Sequence, residues 1–247
     1  MPADMKGFAH ILVLLLLSCV AMAAVPTNCS QAIIGIADDW DDSHVTLSVV
    51  EKNAKGQWVR VLGPYKGRLG RAGLVWGLGL HSNPWRATTK KEGDWRSPAG
   101  VFELGGLWVT NKKPVQHDAR IPYINVGPAD LWVSDPAYPD LYNRHVRLDH
   151  PARTAWEKKE QMRQNDHAHS IKLLVCHNTD EPKVNAGSSI FFHIWRRDGG
   201  APTAGCTAMD EKNLRTIIAR LNPSRHPVYI LLPRQEYAKR RSSWRLP

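Results

Sequence analysis

The chain has 247 residues, of which 43% are hydrophobic and 23% are charged, and its formal net charge at pH 7 is +10. This composition is that of an ordinary globular protein, and the length suits one domain with a substantial core. The positive charge favours an anionic partner, but no nucleic-acid-binding motif accompanies it, so we expect no nucleic acid among the partners.

Residues 1–24 have the organisation of a secretory signal peptide. A lysine precedes a short, almost purely aliphatic stretch, and small residues follow it. The stretch is shorter than the roughly 20 apolar residues that a membrane span needs. We therefore predict cleavage after Ala23 or Ala24 and a periplasmic or cell-envelope location. The alternative is lipidation of Cys19, which lies in a stretch similar to a bacterial lipoprotein acceptor site, and we expect membrane association only in that case.

Short apolar or alternating runs recur between Gly and Pro turns in the rest of the chain, which is typical of a mainly β domain. Two segments predict helices, residues 154–165 and 210–222, and Asp210 is a capping residue at the start of the second. The predicted strands are Ile33–Ile36, Val45–Val50, Trp58–Leu62, Val101–Leu104, Asp130–Val133, Ile171–Cys176, Ser189–Ile194 and Val228–Leu232.

The last residues, 239–247, are rich in lysine and arginine. A charge run of this kind predicts first a solvated, disordered tail and second a docking segment.

Three cysteines remain once Cys19 has left with the signal peptide, and an odd number in an exported protein implies one unpaired thiol. One hypothesis pairs Cys29 with Cys176 and leaves Cys206 free. The alternative is that Cys176, which follows an apolar run, is a small buried residue.

Cys206 lies in a turn of small residues and follows His193 by 13 positions, while His193 lies in a predicted strand. A free thiol titrates near pH 8.5, so nucleophilic attack needs a base such as His193. Gly205 permits a tight turn whose amides would face a developing oxyanion, and Thr203 would support the turn or touch a substrate. The position before the predicted second helix also suggests a thiolate stabilised by the helix field. Taken alone, the pair is more typical of a buried histidine and an inert cysteine than of a catalytic site.

Two blocks of sequence resemble the L,D-transpeptidase (YkuD-like) catalytic domain family. That family carries a histidine on a strand and then Ser/Thr-His-Gly-Cys, where this chain has His193 and Thr203-Ala204-Gly205-Cys206. The block Lys91–Phe102 is similar to the family's Gly-Asp…Thr/Ser-Pro-x-Gly-x-Phe turn and strand. The resemblance spans most of residues 30–237. It implies a mainly β, sandwich or barrel-like catalytic domain over residues 25–238, with a few peripheral helices.

The resemblance also implies roles. Cys206 would be the nucleophile, His193 its base, oriented by the carbonyl of Ile194, and Gly205 with the Cys206 amide would form the oxyanion hole. The substrate would be a peptidoglycan stem peptide, attacked at the L-centre of meso-diaminopimelate with release of D-Ala. The acyl group would pass to another diaminopimelate amine, a lysine of an envelope lipoprotein, or water. Neither an organic cofactor nor a metal is implied, and we expect His167 and His169 to be surface residues.

Two positions depart from the family pattern. Ala204 replaces the histidine before Gly-Cys, and Ala208 replaces an arginine expected to hold a substrate carboxylate. The form Gly-Cys-x-Ala-Met also looks like a branch that hydrolyses bonds to diaminopimelate. Arg196 or Arg197 would supply the missing charge, unless both are ordinary loop arginines. The residues that we expect to contact substrate are Tyr142, Trp195, Arg196 and Thr203.

Three further interpretations compete with a cysteine acyltransferase. The same fold would serve as a dedicated hydrolase, an L,D-carboxypeptidase or an amidase. A non-catalytic wall-binding module would use the basic surface and exposed tryptophans. A zinc hydrolase comes last, because the Cys/His pair provides too few ligands.

Overall fold

The computed structural model describes residues 24–110 and 113–247. Of residues 1–24, where we predict the signal peptide and its alternative at Cys19, only Ala24 lies inside the described range. The elements in chain order are β1 (Gln31–Ala37), β2 (His44–Lys52), β3 (Trp58–Arg68), β4 (Leu74–Trp76), β5 (Ser97–Val109), β6 (Tyr123–Asn125), β7 (Asp130–Trp132), β8 (His145–Arg147), α1 (Ala155–Glu160), β9 (Ile171–Val175), β10 (Phe191–Ile194), β11 (Thr207–Met209), α2 (Glu211–Arg220), β12 (Val228–Pro233) and α3 (Arg234–Arg240).

The larger sheet closes into a ring. Its strands follow the order β12, β1, β2, β3, β11, β10, β9 and β5, and β5 pairs in turn with β12. β4 and β6 add to β5 outside this ring, and β7 and β8 form a separate two-stranded sheet. Closure leaves the ring strands without a free edge and encloses their apolar faces. The prediction of a mainly β, barrel-like fold is confirmed.

Each of the eight predicted strands overlaps an observed strand. The sequence pattern misses β4, β6, β8 and β11, which have three residues each and are too short to show alternation, although β7, of the same length, is predicted.

The second predicted helix is confirmed as α2. The Asp210 side chain accepts a hydrogen bond from the Asn213 amide at 3.1 Å, and an apolar stripe faces the barrel core, with Leu214, Ile217 and Ile218 fully buried.

The first predicted helix is shorter than expected. A capping box between Thr154 and Glu157 starts α1 as the sequence indicates. The helix ends at Glu160 because Gln161 is extended and forms a bridge to Leu131.

The basic C-terminal segment is not the solvated tail that the sequence predicts. α3 contains its first two residues, and Trp244 and Leu246 beyond it are buried at 4% and 6% exposure. The Arg240 guanidinium lies over the rings of both Trp76 and Trp244, at 4.8 and 4.6 Å from their centroids. Two apolar residues within the basic segment therefore anchor it to the barrel. Arg240 remains charged beside this packed region because its guanidinium stacks on indole rings.

The proposed disulfide between Cys29 and Cys176 is wrong, since all three described cysteines are free. Cys29 lies in the main core and donates its thiol to the Gln31 carbonyl at 3.3 Å. Cys176 packs on a second apolar cluster, around Trp108 and Trp132. The two thiols therefore belong to different cores, and Cys176 is the small packed residue of the alternative interpretation.

No helix within residues 24–110 and 113–247 is long and apolar enough to span a bilayer.

We expect Trp244→Ala to lower the free energy of unfolding by about 3–5 kcal/mol, because it empties a packed indole site and removes one face of the Arg240 stack. Trp85→Ala is the matched control, since Trp85 is 88% exposed, and we expect a change within about 0.5 kcal/mol. Urea unfolding of both variants measures the difference. Equal, small effects would mean that residues 241–247 do not pack on the barrel in solution.

Candidate active site

The pairing of β10 with β11 brings Cys206 and His193 together. The two strands are parallel, with Phe192 opposite Thr207 and His193 opposite Ala208. Cys206 precedes Thr207 and therefore lies beside Phe191. The sequence places Cys206 directly before a helix, but β11 intervenes and α2 begins at Glu211. We therefore withdraw the expectation that a helix dipole stabilises the thiolate, since that effect falls off within the first turn.

The thiol is held by the backbone at the start of β10. The Phe191 amide donates to Cys206 Sγ at 3.4 Å, and the thiol donates to the Ser189 carbonyl at 3.3 Å. Among the described residues, no hydrogen bond joins Cys206 to His193. Attack on a substrate therefore requires the thiol to leave the Ser189 carbonyl and present its proton to the imidazole.

The turn before the cysteine is fixed by Thr203. Its hydroxyl donates to the Cys206 carbonyl at 2.7 Å and accepts from the Gly205 amide at 3.1 Å. Gly205 has φ +150°, and a Cβ there would lie 3.0 Å from the Arg96 carbonyl oxygen. Glycine is therefore required, as the sequence predicts. The Gly205 amide is occupied by Thr203, so the Cys206 amide is the turn's remaining candidate for an oxyanion donor.

Residues 90–97 support the turn from behind. Ser97 Oγ accepts from the Gly70 amide at 2.9 Å and donates to the Cys206 carbonyl at 3.4 Å. Lys90 is buried and donates to Asp94 at 2.6 Å. Asp94 and Ser97 belong to the second block of family resemblance, and Lys90 directly precedes it. Their position explains why that block accompanies the cysteine motif.

His193 is oriented as the sequence predicts. Its Nδ1–H donates to the Ile194 carbonyl at 2.7 Å, which leaves Nε2 unprotonated in the neutral ring. Burial, and secondly the nearby His169, lower the pKa of His193 to about 3. The imidazole is therefore neutral at physiological pH, with the lone pair of Nε2 free.

Lys172 is the buried cation of the site. It lies on β9 opposite His193 in the strand register, is 4% exposed, and donates from Nζ to the Met162 carbonyl at 2.5 Å. Burial lowers the pKa of Lys172 to about 8. Burial raises the pKa of the Cys206 thiol, while the Phe191 amide, Lys172 and Lys90 act in the opposite direction.

Two cavities meet at the thiol, and Cys206, His193 and His169 line both. The outer cavity, of about 460 Å³, also contains Arg71 and Trp95. The inner chamber, of about 170 Å³, extends toward α1. A larger cavity of about 690 Å³ lies against Trp40, Trp76 and Arg240 but contains neither cysteine nor histidine, so we place the reaction centre at the thiol.

The expected substrate contacts divide into two groups. Arg196 and Thr203 line the outer cavity, and Arg196 is paired with Asp166. Tyr142 is a wrong choice, because its side chain is fully buried and its hydroxyl donates to Glu92. Trp195 lies outside both cavities and packs against Gly199, and Arg197 also lies outside them.

Sequence reasoning missed three residues of the site: Arg71, His169 and Lys172. His169 was expected at the surface, but it is half-buried with its ring 4.7 Å from that of His193. The Arg71 guanidinium stacks on Trp95 at 3.5 Å from the ring centroid. A lysine in an otherwise apolar strand was the one available signal for Lys172, since a buried charge needs a reason. His167, by contrast, is exposed and pairs with Glu211.

Comparison with known proteins identifies the domain. The profile of the YkuD family, described as the L,D-transpeptidase catalytic domain, matches residues 66–230. No curated protein matches the chain. Among solved structures, that of Bdellovibrio bacteriovorus Bd1075 is similar at 13% sequence identity and a TM-score of 0.39, over 90% of this chain and 57% of that one. This chain therefore spans little more than half of that protein.

We expect Lys172→Met to raise the pKa of the Cys206 thiol, because it removes a buried positive charge that favours the thiolate. Alkylation of Cys206 by iodoacetamide at pH 8 should slow by about three- to tenfold. The rate is followed by peptide mapping as a function of pH. Lys158→Met removes an exposed lysine of α1 that lines neither cavity, and it should leave the profile unchanged. A profile that does not move in Lys172→Met would show that this ammonium does not act on the thiol.

Proposed function

The chain belongs to the L,D-transpeptidase catalytic domain family, and from that premise we propose that it is a cysteine acyltransferase acting on the stem peptides of peptidoglycan. One observation carries the proposal: the β10–β11 register places a thiol and a neutral imidazole, with Nε2 unprotonated, on the same two cavities. A buried histidine kept only for packing has no need of an oriented, free nitrogen beside a thiol.

In the first half-reaction, the Cys206 thiol transfers its proton to His193 Nε2 and its sulfur attacks the carbonyl at the L-centre of diaminopimelate. Negative charge develops on the carbonyl oxygen, toward the Cys206 amide and the buried Lys172 ammonium. Collapse of the tetrahedral intermediate breaks the peptide bond, and the imidazolium gives its proton to the departing amine of D-Ala. The products are a thioester on Cys206 and free D-Ala.

In the second half-reaction, an amine attacks the thioester carbonyl and gives a proton to His193. The carbon–sulfur bond then breaks, and the sulfur recovers the proton as the new amide forms. The acceptor is a diaminopimelate amine of another stem peptide or a lysine of an envelope lipoprotein, and water takes the same place in a hydrolytic reaction. The proposed location is the periplasm or cell envelope, reached through the predicted signal peptide.

In this chain, Ala208 stands where the family has an arginine, and two arginines of the outer cavity would take the role of that arginine. Ala208 lies opposite His193 in the strand register and lines that cavity. Because its side chain is a methyl group, a positive charge in this cavity must come from another residue. Arg196 and Arg71 line the same cavity from two other segments. We propose that one of them holds the substrate carboxylate.

A hydrolase of the same fold is the second candidate. Its specific support is the sequence Gly205-Cys206-Thr207-Ala208-Met209, in which alanine stands in the arginine position. Without an arginine at position 208, the site would hold the substrate carboxylate less tightly, or water would reach the thioester. In either case the products would be shortened monomers instead of crosslinked dimers.

The test is intact mass spectrometry of the protein during incubation with a muropeptide that carries a stem tetrapeptide. We expect a transient adduct equal to the donor minus D-Ala on the wild type and none on Cys206→Ala. Cys176→Ala is the matched control, because burial raises the pKa of the Cys176 thiol to about 11 and it lies outside both site cavities. This variant should retain the adduct.

The products of the same incubation separate the candidates. Dimers indicate transfer, and shortened monomers alone indicate hydrolysis. A wild type that forms no adduct although Cys206 alkylates readily would contradict this donor. A Cys206→Ala variant that keeps the full biological effect would favour a wall-binding module over any enzyme.

A further inference from the structure

A carboxylate shares the inner chamber with Cys206. The chamber holds about 170 Å³, enough for a small head group but too little for a peptide. Its lining includes Cys206, His193 and Glu160, the last residue of α1. The proposed acyl-transfer chemistry makes no use of Glu160.

Only one oxygen of this carboxylate is satisfied. Glu160 Oε2 accepts from the Ser134 amide and from the Ser134 hydroxyl, both at 2.7 Å. Oε1 is buried and, among the described residues, receives no hydrogen bond. The side chain is 1% exposed, and a buried carboxylate oxygen without a donor is costly.

The nearest recorded cation does not fill this position. Lys159 Nζ lies 3.6 Å from Oε1, beyond hydrogen-bond distance, and its side chain is 66% exposed. An exposed pair of this kind contributes little, because the lysine keeps its water and its rotamer freedom. Lys159 can therefore withdraw when another cation enters.

The walls of the chamber suit an alkyl ammonium ion. Trp132 and Phe191 meet edge to face at 4.9 Å between ring centroids, and Met162 completes an apolar wall. Such a wall accommodates methylene groups and attracts a cation through its ring faces. The carboxylate would then accept the ammonium hydrogens. Lys172 also lines the chamber, but its ammonium already donates to the Met162 carbonyl at 2.5 Å. The group without a hydrogen-bond partner is therefore the acceptor Glu160 Oε1, which calls for a donor and not for an anion.

We propose that this chamber binds a primary ammonium group of a substrate, and that Glu160 Oε1 is the group that receives it. The proposal deepens the proposed function, because it assigns one charged end of the substrate to one side of the thiol. The ammonium belongs either to the donor stem peptide itself or to the amine acceptor. In both cases the same contact distinguishes substrates with a free amine from those in which the amine is blocked.

The first test does not depend on the proposed reaction. Aminoethyl methanethiosulfonate and its hydroxyethyl analogue both modify thiols: the thiolate sulfur attacks the sulfenyl sulfur, methanesulfinate leaves, and a mixed disulfide forms. The cationic reagent places an ammonium near Cys206, and the neutral one does not. We expect the ratio of the cationic to the neutral rate at Cys206 to fall by about tenfold in Glu160→Gln, which is the loss of one charge-assisted hydrogen bond.

Glu160→Gln keeps an oxygen for Ser134 and replaces the charged acceptor Oε1 with a neutral amide group of the same size, so the fold should survive. Glu181→Gln makes the same change on an exposed loop and should leave the ratio at the wild-type value. Lys159→Met should keep or increase the preference for the cationic reagent, because it removes a competing cation. An equal ratio in the wild type and Glu160→Gln would overturn the proposal, as would a loss of preference in Lys159→Met alone.

The second test identifies the source of the ammonium. Stem tetrapeptides with a free or an acetylated side-chain amine are compared for the rate of adduct formation. If the donor supplies the ammonium, Glu160→Gln should slow the free-amine peptide by about tenfold and leave the acetylated one unchanged. If the acceptor supplies it, adduct formation should be unchanged and the ratio of dimer to hydrolysed monomer should fall.

The two proposals fail in different ways. Absence of any adduct in the wild type, with the reagent preference intact, would refute the stem-peptide donor and leave the ammonium site standing. Normal adduct formation with no effect of Glu160→Gln on either peptide, product ratio or reagent preference would refute the ammonium site and leave the acyltransferase standing.

Discussion

The parallel pairing of β10 with β11 is the constraint on which the site depends. Parallel neighbours cannot be joined by a tight hairpin, so the chain must cross back before it enters β11. The end of that crossover, at Cys206, is thereby brought level with the start of β10. One short ladder thus sets the position of the thiol, the adjacent imidazole and the alanine that replaces an arginine. A shift of one residue would turn the His193 side chain to the opposite face of the sheet.

The electrostatics of the site favour a neutral resting state. Burial acts on both members of the pair, since it lowers the pKa of His193 and raises that of Cys206. The thiol is correspondingly held by backbone groups and not by the imidazole. Lys172 is the main buried positive charge that opposes this state. Under the proposed function, a substrate that displaces the thiol from Ser189 would start the reaction, and a thiol that is neutral without substrate is less open to oxidation than a thiolate.

The sequence predicts the barrel well because its long strands carry a clear alternation and glycine-rich boundaries. It predicts Cys206, His193 and Gly205 because their spacing follows a local pattern. It cannot predict Lys172 or His169, whose positions beside the imidazole depend on the register of β9 and on packing between distant segments. Tyr142 shows the opposite error, in which a packing residue is predicted to contact substrate. An aromatic residue in a loop-rich segment can be buried as readily as it can contact a ligand. The C-terminal segment was misjudged because its charges are more conspicuous than the two anchors between them.

The barrel joins the first strand of the domain to the last. β1 pairs along its length with β12, and the Val25 amide donates to the Trp244 carbonyl at 3.2 Å. The match to the family begins within β3, so two of the strands that complete the ring precede the matched segment. A chain that is made from its N-terminus must therefore keep β1 unpaired on one side until β12 is available. Such a topology delays closure of the barrel until the segment that carries β12 has been made, so the first strands remain exposed while the middle of the domain is being added.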